Sequence, residues 1–340
     1  MTGATRRGLT VAAALLLGAA GVWAVIETGD SGAPRPARGD HGPHLFLSGK
    51  HGDVWRVSAE GAVTHAKVPE LDPGDPPHHL LARGDALLGW GYETYLLDPA
   101  LDRAPEVLVD DSLFFIPSAR EDRLWVATEE PGTNRRIASV REVTVDGEVT
   151  VPGVRPPGGG WPEASLEDGL VFFSRGRGVV WDPRTRRVVV RFPIAGDLGP
   201  TYGNVVAWCG PRCAELHLTD VSTGRDVVVS PPRGFRRFRG WEGAFSPDGS
   251  TIAVPLLAED SHDVVLLGLV DVDDAVARAV PGTRTRELFN FVAWSASGSH
   301  VFFTGAVDSG SRTIFVYRTD DAGARSLDVE VGEFYDAAAL

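Results

Sequence analysis

The 340-residue chain is short of lysine, of cysteine and of catalytic signatures, and each shortage removes a class of function. Lys50 and Lys67 are its only lysines, and 33 basic against 46 acidic residues leave a net charge of −13. Phosphate backbones are bound by basic surfaces, so no nucleic-acid partner is expected. Two cysteines, Cys209 and Cys213, occur in the string CGPRC. Their spacing is not that of a redox C-x-x-C motif, and two thiolates fall short of a structural zinc site. Gly-Pro-Arg between two strands would set them across a hairpin, which favours a disulfide over free thiols and so an oxidising compartment. No cysteine sits near the N-terminus to accept a lipid.

The chemical signatures of enzymes are missing as well. There is no G-x-S-x-G elbow and no H-E-x-x-H. The Ser246-Pro247-Asp248-Gly249 turn fails the sialidase Asp-box pattern, because glycine follows the aspartate directly and no tryptophan comes after. His78 and His79 follow Asp72 and Asp75, but adjacent histidines in a strand face opposite ways, so a polar loop is favoured over a metal site. The string GDSG at residues 29–32 lies in a stretch without apolar periodicity, where a serine has neither a base nor an oxyanion hole. No metal, cofactor or catalytic residue is expected.

What is present begins with Arg6-Arg7 and the uncharged run Gly8–Ile26. Its 19 residues match the ~17–25 that span a bilayer, and the preceding arginines put residues 1–8 in the cytoplasm. An uncleaved anchor over residues 9–26 is favoured over a signal peptide, because the run is long and no clear cleavage site follows. Either way the body is expected outside the membrane. Residues 27–43 form a flexible linker, and residues 44–340 form the body.

The body is organised around Trp241–Pro255, WEGAFSPDGSTIAVP, which reads strand, tight turn, strand. The same shape recurs at Phe291–Thr304, FVAWSASGSHVFFT. A second signature is an apolar strand ending in a turn residue. It appears at Ser58, Asp98, Asp146, Asp182, Asp220, Asp271 and Asp320, at spacings of 40, 48, 36, 38, 51 and 49. Propeller blades run ~40–50 residues, so seven marks predict a seven-bladed, all-β propeller of four-stranded antiparallel blades. The Ser-Pro-Asp-Gly turn joins first to second strands and the Asp turn third to fourth, with Asp serving local backbone bonds. Blade one has only three strands after His44, so Glu333–Leu340 is expected to supply its innermost strand and close the ring.

The strings FSPDGSTIAV and VAWSASGSHVFF resemble the repeats of the TolB-like and WD-repeat propeller families. The resemblance is good over blades five to seven and dilute over one to four. It implies the fold, and a family range that includes scaffolds, envelope proteins and non-catalytic domains of peptidases.

Counting eight residues back from turn glycines 169, 210, 249 and 298 gives Trp161, Tyr202, Trp241 and Asn290, a slot expected at the mouth of the central channel. Glu163, Glu242 and Tyr335 lie nearby. Aromatics beside a few polar groups describe a binding site, while blade-to-blade packing accounts for the same residues. The string PPRGFRRFRG, with Arg233, Arg236, Arg237 and Arg239, reads as a solvated connection between blades, with anionic lipid or an acidic partner as alternatives. Together these features predict a non-catalytic binding or scaffolding module recognising a protein or envelope component. A glycan-acting hydrolase or lyase using Glu163 and Glu242, and a small-ligand sensor, are the competing readings.

Overall fold

The computed structural model describes residues 42–71, 80–91, 93–130, 137–157, 160–174, 176–194, 196–239, 243–261, 264–285, 291–306 and 312–340. Gly42–Leu340 forms one compact unit. Its described residues hold strands and short 3-10 turns, and no helix among them is long and apolar enough to cross a membrane. The anchor expected over residues 9–26 lies outside the described residues.

Seven antiparallel sheets make seven blades. Blade one consists, from the inside out, of Phe334–Ala339, His44–Gly49, Asp53–Ser58 and Val63–Lys67. Blades two to five and blade seven each take four consecutive strands, with innermost strands Leu80–Arg83, Ser112–Pro117, Pro162–Leu166, Asp197–Tyr202 and Val292–Trp294. Blade six has five strands. Its innermost position is filled by two short strands in series, Phe235–Phe238 and Ala244–Phe245, both paired to Thr251–Ala258.

The core is divided in the same way. Seven apolar clusters occupy the seven spaces between neighbouring blades, because strand side chains alternate and both faces of each blade are covered. Phe303 thus joins the cluster between blades six and seven, while its neighbour Phe302 joins that between seven and one. Leu45 and Leu47 face blade seven and Phe46 faces blade two. Burial on both faces explains why these strands read as unbroken apolar runs.

One charged side chain is buried among the described residues, Glu142, and it ties blade three to blade four. It accepts hydrogen bonds from Ser118 Oγ at 2.9 Å, Thr150 Oγ1 at 2.8 Å and Arg184 Nη2 of blade four at 2.8 Å. Arg123 Nη1 lies 3.3 Å away. A buried carboxylate is tolerated here because nearly all its acceptor capacity is used.

The C-terminal strand closes the ring. Leu45, Phe46, Leu47 and Ser48 pair with Ala339, Ala338, Ala337 and Asp336, and Gly49 pairs with Phe334 across a bulge. His44 and Leu340 exchange two backbone hydrogen bonds of 2.9 Å each. Gly49 is required at the bulge: a Cβ there would overlap the Trp55 ring and lie 2.7 Å from the carbonyl of Glu333. Asp336 also accepts the backbone N–H of Leu80 at 2.9 Å, which ties the closing strand to blade two. Phe334 is 2% exposed, in the cluster shared with blade seven. Phe334→Ala is expected to cost about 3–5 kcal/mol in denaturant melts. Removing residues 334–340 should lower the melting temperature further, and an unchanged melt of that truncation would refute the closure.

Candidate functional site

The innermost strands give the channel a polarity. Each runs from an entry end to an exit end, where, except in the closing strand of blade one, it turns into the second strand. The turns at the exit end are tight and self-bonded. In blade six, Ser246 Oγ donates to Asp248 Oδ1 at 2.6 Å, and the Ser250 N–H donates to the same oxygen at 3.1 Å. Gly249 sits at φ +74°, in the left-handed region that glycine adopts freely. Blade seven repeats the turn with serines: the His300 N–H donates to Ser295 Oγ at 3.1 Å, and Gly298 sits at φ +69°.

The turns between third and fourth strands also lie at the exit end. Asp220 accepts the N–H of Ser222 at 2.9 Å and Thr223 Oγ1 at 2.8 Å, and Asp182 accepts the N–H of Arg184 at 2.9 Å. These aspartates serve the local backbone, as expected. Blade three departs from the pattern: Thr144, not Asp146, receives the turn N–H groups. In blade seven Asp320 pairs with Arg318 at 2.6 Å.

The channel holds a cavity of about 490 Å³. Small residues line it, among them Ala82, Ala164, Gly199, Ala244, Ala293 and Ala337, and its polar groups include Arg83, Glu121, Glu163, Ser165, Thr201 and Tyr202. Arg83 Nη2 donates to the carbonyls of Ser118 and Arg120, joining the exit turns of blades two and three. Burial holds the Arg83 guanidinium below its usual pKa, opposed by Glu121 and Asp122. Ser165 is 5% exposed, and its hydroxyl has no hydrogen-bond partner among the described residues. A smaller cavity of about 240 Å³ opens at the same end between blades seven and one, lined by Glu60, His300, Arg318, Asp321 and Arg325.

The residues singled out from sequence are distributed between the two ends. Trp161 immediately precedes the innermost strand of blade four, at the entry end. One face of its ring stacks on Phe114 of blade three, with centroids 4.7 Å apart, yet it stays 40% exposed. Packing and exposure are thus shared by one side chain. Tyr335 is the second residue of the closing strand at the same end, is 39% exposed, and has Lys50 Nζ at 5.9 Å from its ring. Lys50 also pairs with Glu333 at 2.8 Å. Glu163 lines the cavity.

Tyr202 does not occupy the entry slot. It ends the strand Asp197–Tyr202, at the exit end, because the hairpin glycine of blade five is Gly203; Gly210 follows the second strand instead. The Tyr202 ring lies over Gly249 of blade six, where a Cβ would collide with it, and 5.8 Å from the Phe245 ring. Trp241, Glu242 and Asn290 lie outside the described residues, as do Asp72, Asp75, His78 and His79. Among the described residues no group of three His, Cys, Asp or Glu side chains is placed to hold a metal.

Two local strings take forms that were not anticipated. Cys209 and Cys213 are joined with Cα atoms 4.7 Å apart, around a 3-10 turn in which Arg212 and Cys213 have positive φ, rather than across a two-strand hairpin. The string PPRGFRRFRG is not a solvated connection: Phe235–Phe238 is a strand, and Phe238 is fully buried. Two phenylalanines at i and i+3 do not alternate as strand residues should. A bulge between Phe235 and Arg237 restores them both to the core. Ser165 and Arg83 carried no sequence signal beyond membership of an innermost strand.

No family model matches the sequence, and no curated protein is similar to it. Solved structures are. TolB from Acinetobacter baumannii matches with a TM-score of 0.48 at 14% identity, over 94% of this chain and 70% of that one. AztD from Citrobacter koseri gives 0.48 at 15% identity, over 89% and 88%. A functionally unknown protein from Desulfotomaculum acetoxidans gives 0.53 at 11%, over 87% and 98%. The structural neighbours thus include TolB, the family that the repeats resemble. At these identities the likeness is one of fold.

The turn aspartates make stability depend on acid. Hydrogen bonds from Ser222 hold the Asp220 carboxyl below its usual pKa, and hydrogen bonds from Ser246 and Ser250 do the same for Asp248. A carboxyl depressed in the folded state stabilises it fully above the unfolded pKa of about 3.9 and loses that contribution as pH falls through the folded value. The melting temperature is therefore expected to fall on acidification below about pH 4. The variant carrying both Asp220→Asn and Asp248→Asn should show a smaller fall; an identical acid profile would contradict the assignment.

Proposed function

We propose that this chain is a non-catalytic binding propeller on the outer side of a bacterial cell membrane, tethered by residues 9–26, with its domain spanning residues 44–340. It presents the entry mouth of the channel to a protein or cell-envelope component. The observation that carries the reading is the pair of large aromatics left exposed at that mouth, Trp161 and Tyr335; of the described aromatics only Tyr202, whose ring lies over the Gly249 turn at the exit end, is as exposed. Amphipathic rings held in place by neighbours lose little conformational freedom on binding, which is why such residues recur at recognition sites. The likeness to TolB and AztD structures is compatible with this reading at the level of fold.

A photo-crosslinker placed at Trp161 or at Tyr335 in the native cell is expected to capture a discrete protein or envelope adduct. The same group at Val228, on an outer strand, should capture none. Equal adducts at all three positions, or none at any, would refute the entry-mouth reading.

A second reading, a small-ligand sensor, is favoured by one observation: a cavity within the ~300–1,000 Å³ range of ligand sites, walled by small residues and bearing the buried, unpartnered hydroxyl of Ser165. It predicts a bound small molecule in the native mass spectrum of the gently purified protein, lost in Ser165→Ala. A spectrum with the bare chain mass alone would dismiss it.

A further inference from the structure

Four of the seven residues 233–239 are arginines, in a chain whose net charge is −13. They sit at the entry end, on the part of blade six where the innermost strand is doubled. Phe235, Arg237 and Phe238 pair with Ala258, Leu257 and Leu256, and the Arg239 N–H continues the ladder to the Pro255 carbonyl at 3.0 Å. This strand is bonded on one side only, so its other edge is open among the described residues.

The side chains divide by face. Phe235 and Phe238 join the cluster between blades five and six. Arg237 and Arg239, two residues apart, share the opposite face. Among the described residues, Arg233, Arg237 and Arg239 have no carboxylate within ion-pair distance. Arg237 Nε is buried and lacks a hydrogen-bond partner. Burial, followed by repulsion from Arg236 and Arg239, holds the Arg237 guanidinium below its usual pKa. Uncompensated positive charge that is half-buried is costly, and a carboxylate arriving from outside would relieve it.

We infer that the strand Phe235–Phe238 with Arg239 is a recognition site for an acidic, extended polypeptide segment of the partner, docking along the open edge with its carboxylates on Arg237 and Arg239. The inference rests on the proposed binding role and adds the chemistry of the partner. Guanidiniums two residues apart on a strand recur at about 6.6 Å, the repeat of alternate side chains in an extended chain. A bilayer fits less well. The two phenylalanines point into the core and are not available as wedges, and the guanidiniums of Arg236, Arg237 and Arg239 are partly recessed rather than projecting.

The test uses the full-length chain in nonionic detergent and a fluorescein-labelled oligoglutamate peptide, read by polarisation. Binding should be salt-sensitive and fall about tenfold or more in the Arg237→Gln/Arg239→Gln variant. It should be largely retained in Arg237→Lys/Arg239→Lys and unchanged in the outer-strand control Arg191→Gln. Circular dichroism melts check that each variant is folded; should the double glutamine variant not fold, Arg233→Gln/Arg239→Gln carries the same expectation in direction. Equal binding by wild type and variant, or no binding by wild type, overturns the inference. So does arginine-dependent binding to phosphatidylglycerol but not phosphatidylcholine vesicles without oligoglutamate binding, which would assign the strand to lipid. A crosslinked adduct at Trp161 or Tyr335 together with failure of the oligoglutamate would leave the entry-mouth reading standing and remove the acidic-segment inference alone.

Discussion

The pairing of Phe334–Ala339 with His44–Gly49 is the constraint on which the other interfaces depend. A propeller blade buries its two faces only against two neighbours, so an open ring would leave the first and last blades each with an uncovered apolar face. The closing strand is bonded to blade one, and Phe334 packs with Phe302 and Ile314 of blade seven. The two ends of the described domain, His44 and Leu340, thereby meet at one sheet, a contact that closes the longest loop within it.

Closure also fixes what each end of the channel offers. The exit end is built from short turns whose aspartates and serines bond their own backbone, and Tyr202 and Arg83 brace one turn against the next. The aspartates and serines are already satisfied there, and Tyr202, though exposed on one face, is spent on covering Gly249. The entry end is different. Its exposed aromatics, Trp161 and Tyr335, are steadied by Phe114 and by Lys50, and the doubled strand of blade six adds Arg237 and Arg239, which have no carboxylate partner among the described residues.

The parts legible from sequence are those governed by local chemistry. Asp182, Asp220 and Asp271 end third strands because Asp can bond the backbone that follows it, and the spacing of the seven marks to which they belong, from Ser58 to Asp320, predicted the blade count. The closing strand followed from a first blade one strand short. Register was harder. Gly203 and Gly210 both look like hairpin glycines, and only the position of the Val205–Cys209 strand decides between them, which moved Tyr202 to the other end of the channel. The strand Phe235–Phe238 was hidden for a related reason: its bulge breaks the alternation by which strands are recognised. The cavity hydroxyl of Ser165 depends on how seven strands from distant parts of the chain converge, and no local pattern reports that.

Native-state hydrogen exchange of the full-length chain examines the closure most directly. Amides of Phe46 and Ala338, a hydrogen-bonded pair of the closing ladder two residues in from His44 and Leu340, are predicted to exchange as slowly as those of Val206 and Ala207 in the middle of blade five, because both are released only when the ring opens. Fast exchange of Phe46 and Ala338, with Val206 and Ala207 still protected, would show a frayed terminal strand and contradict the closed ring.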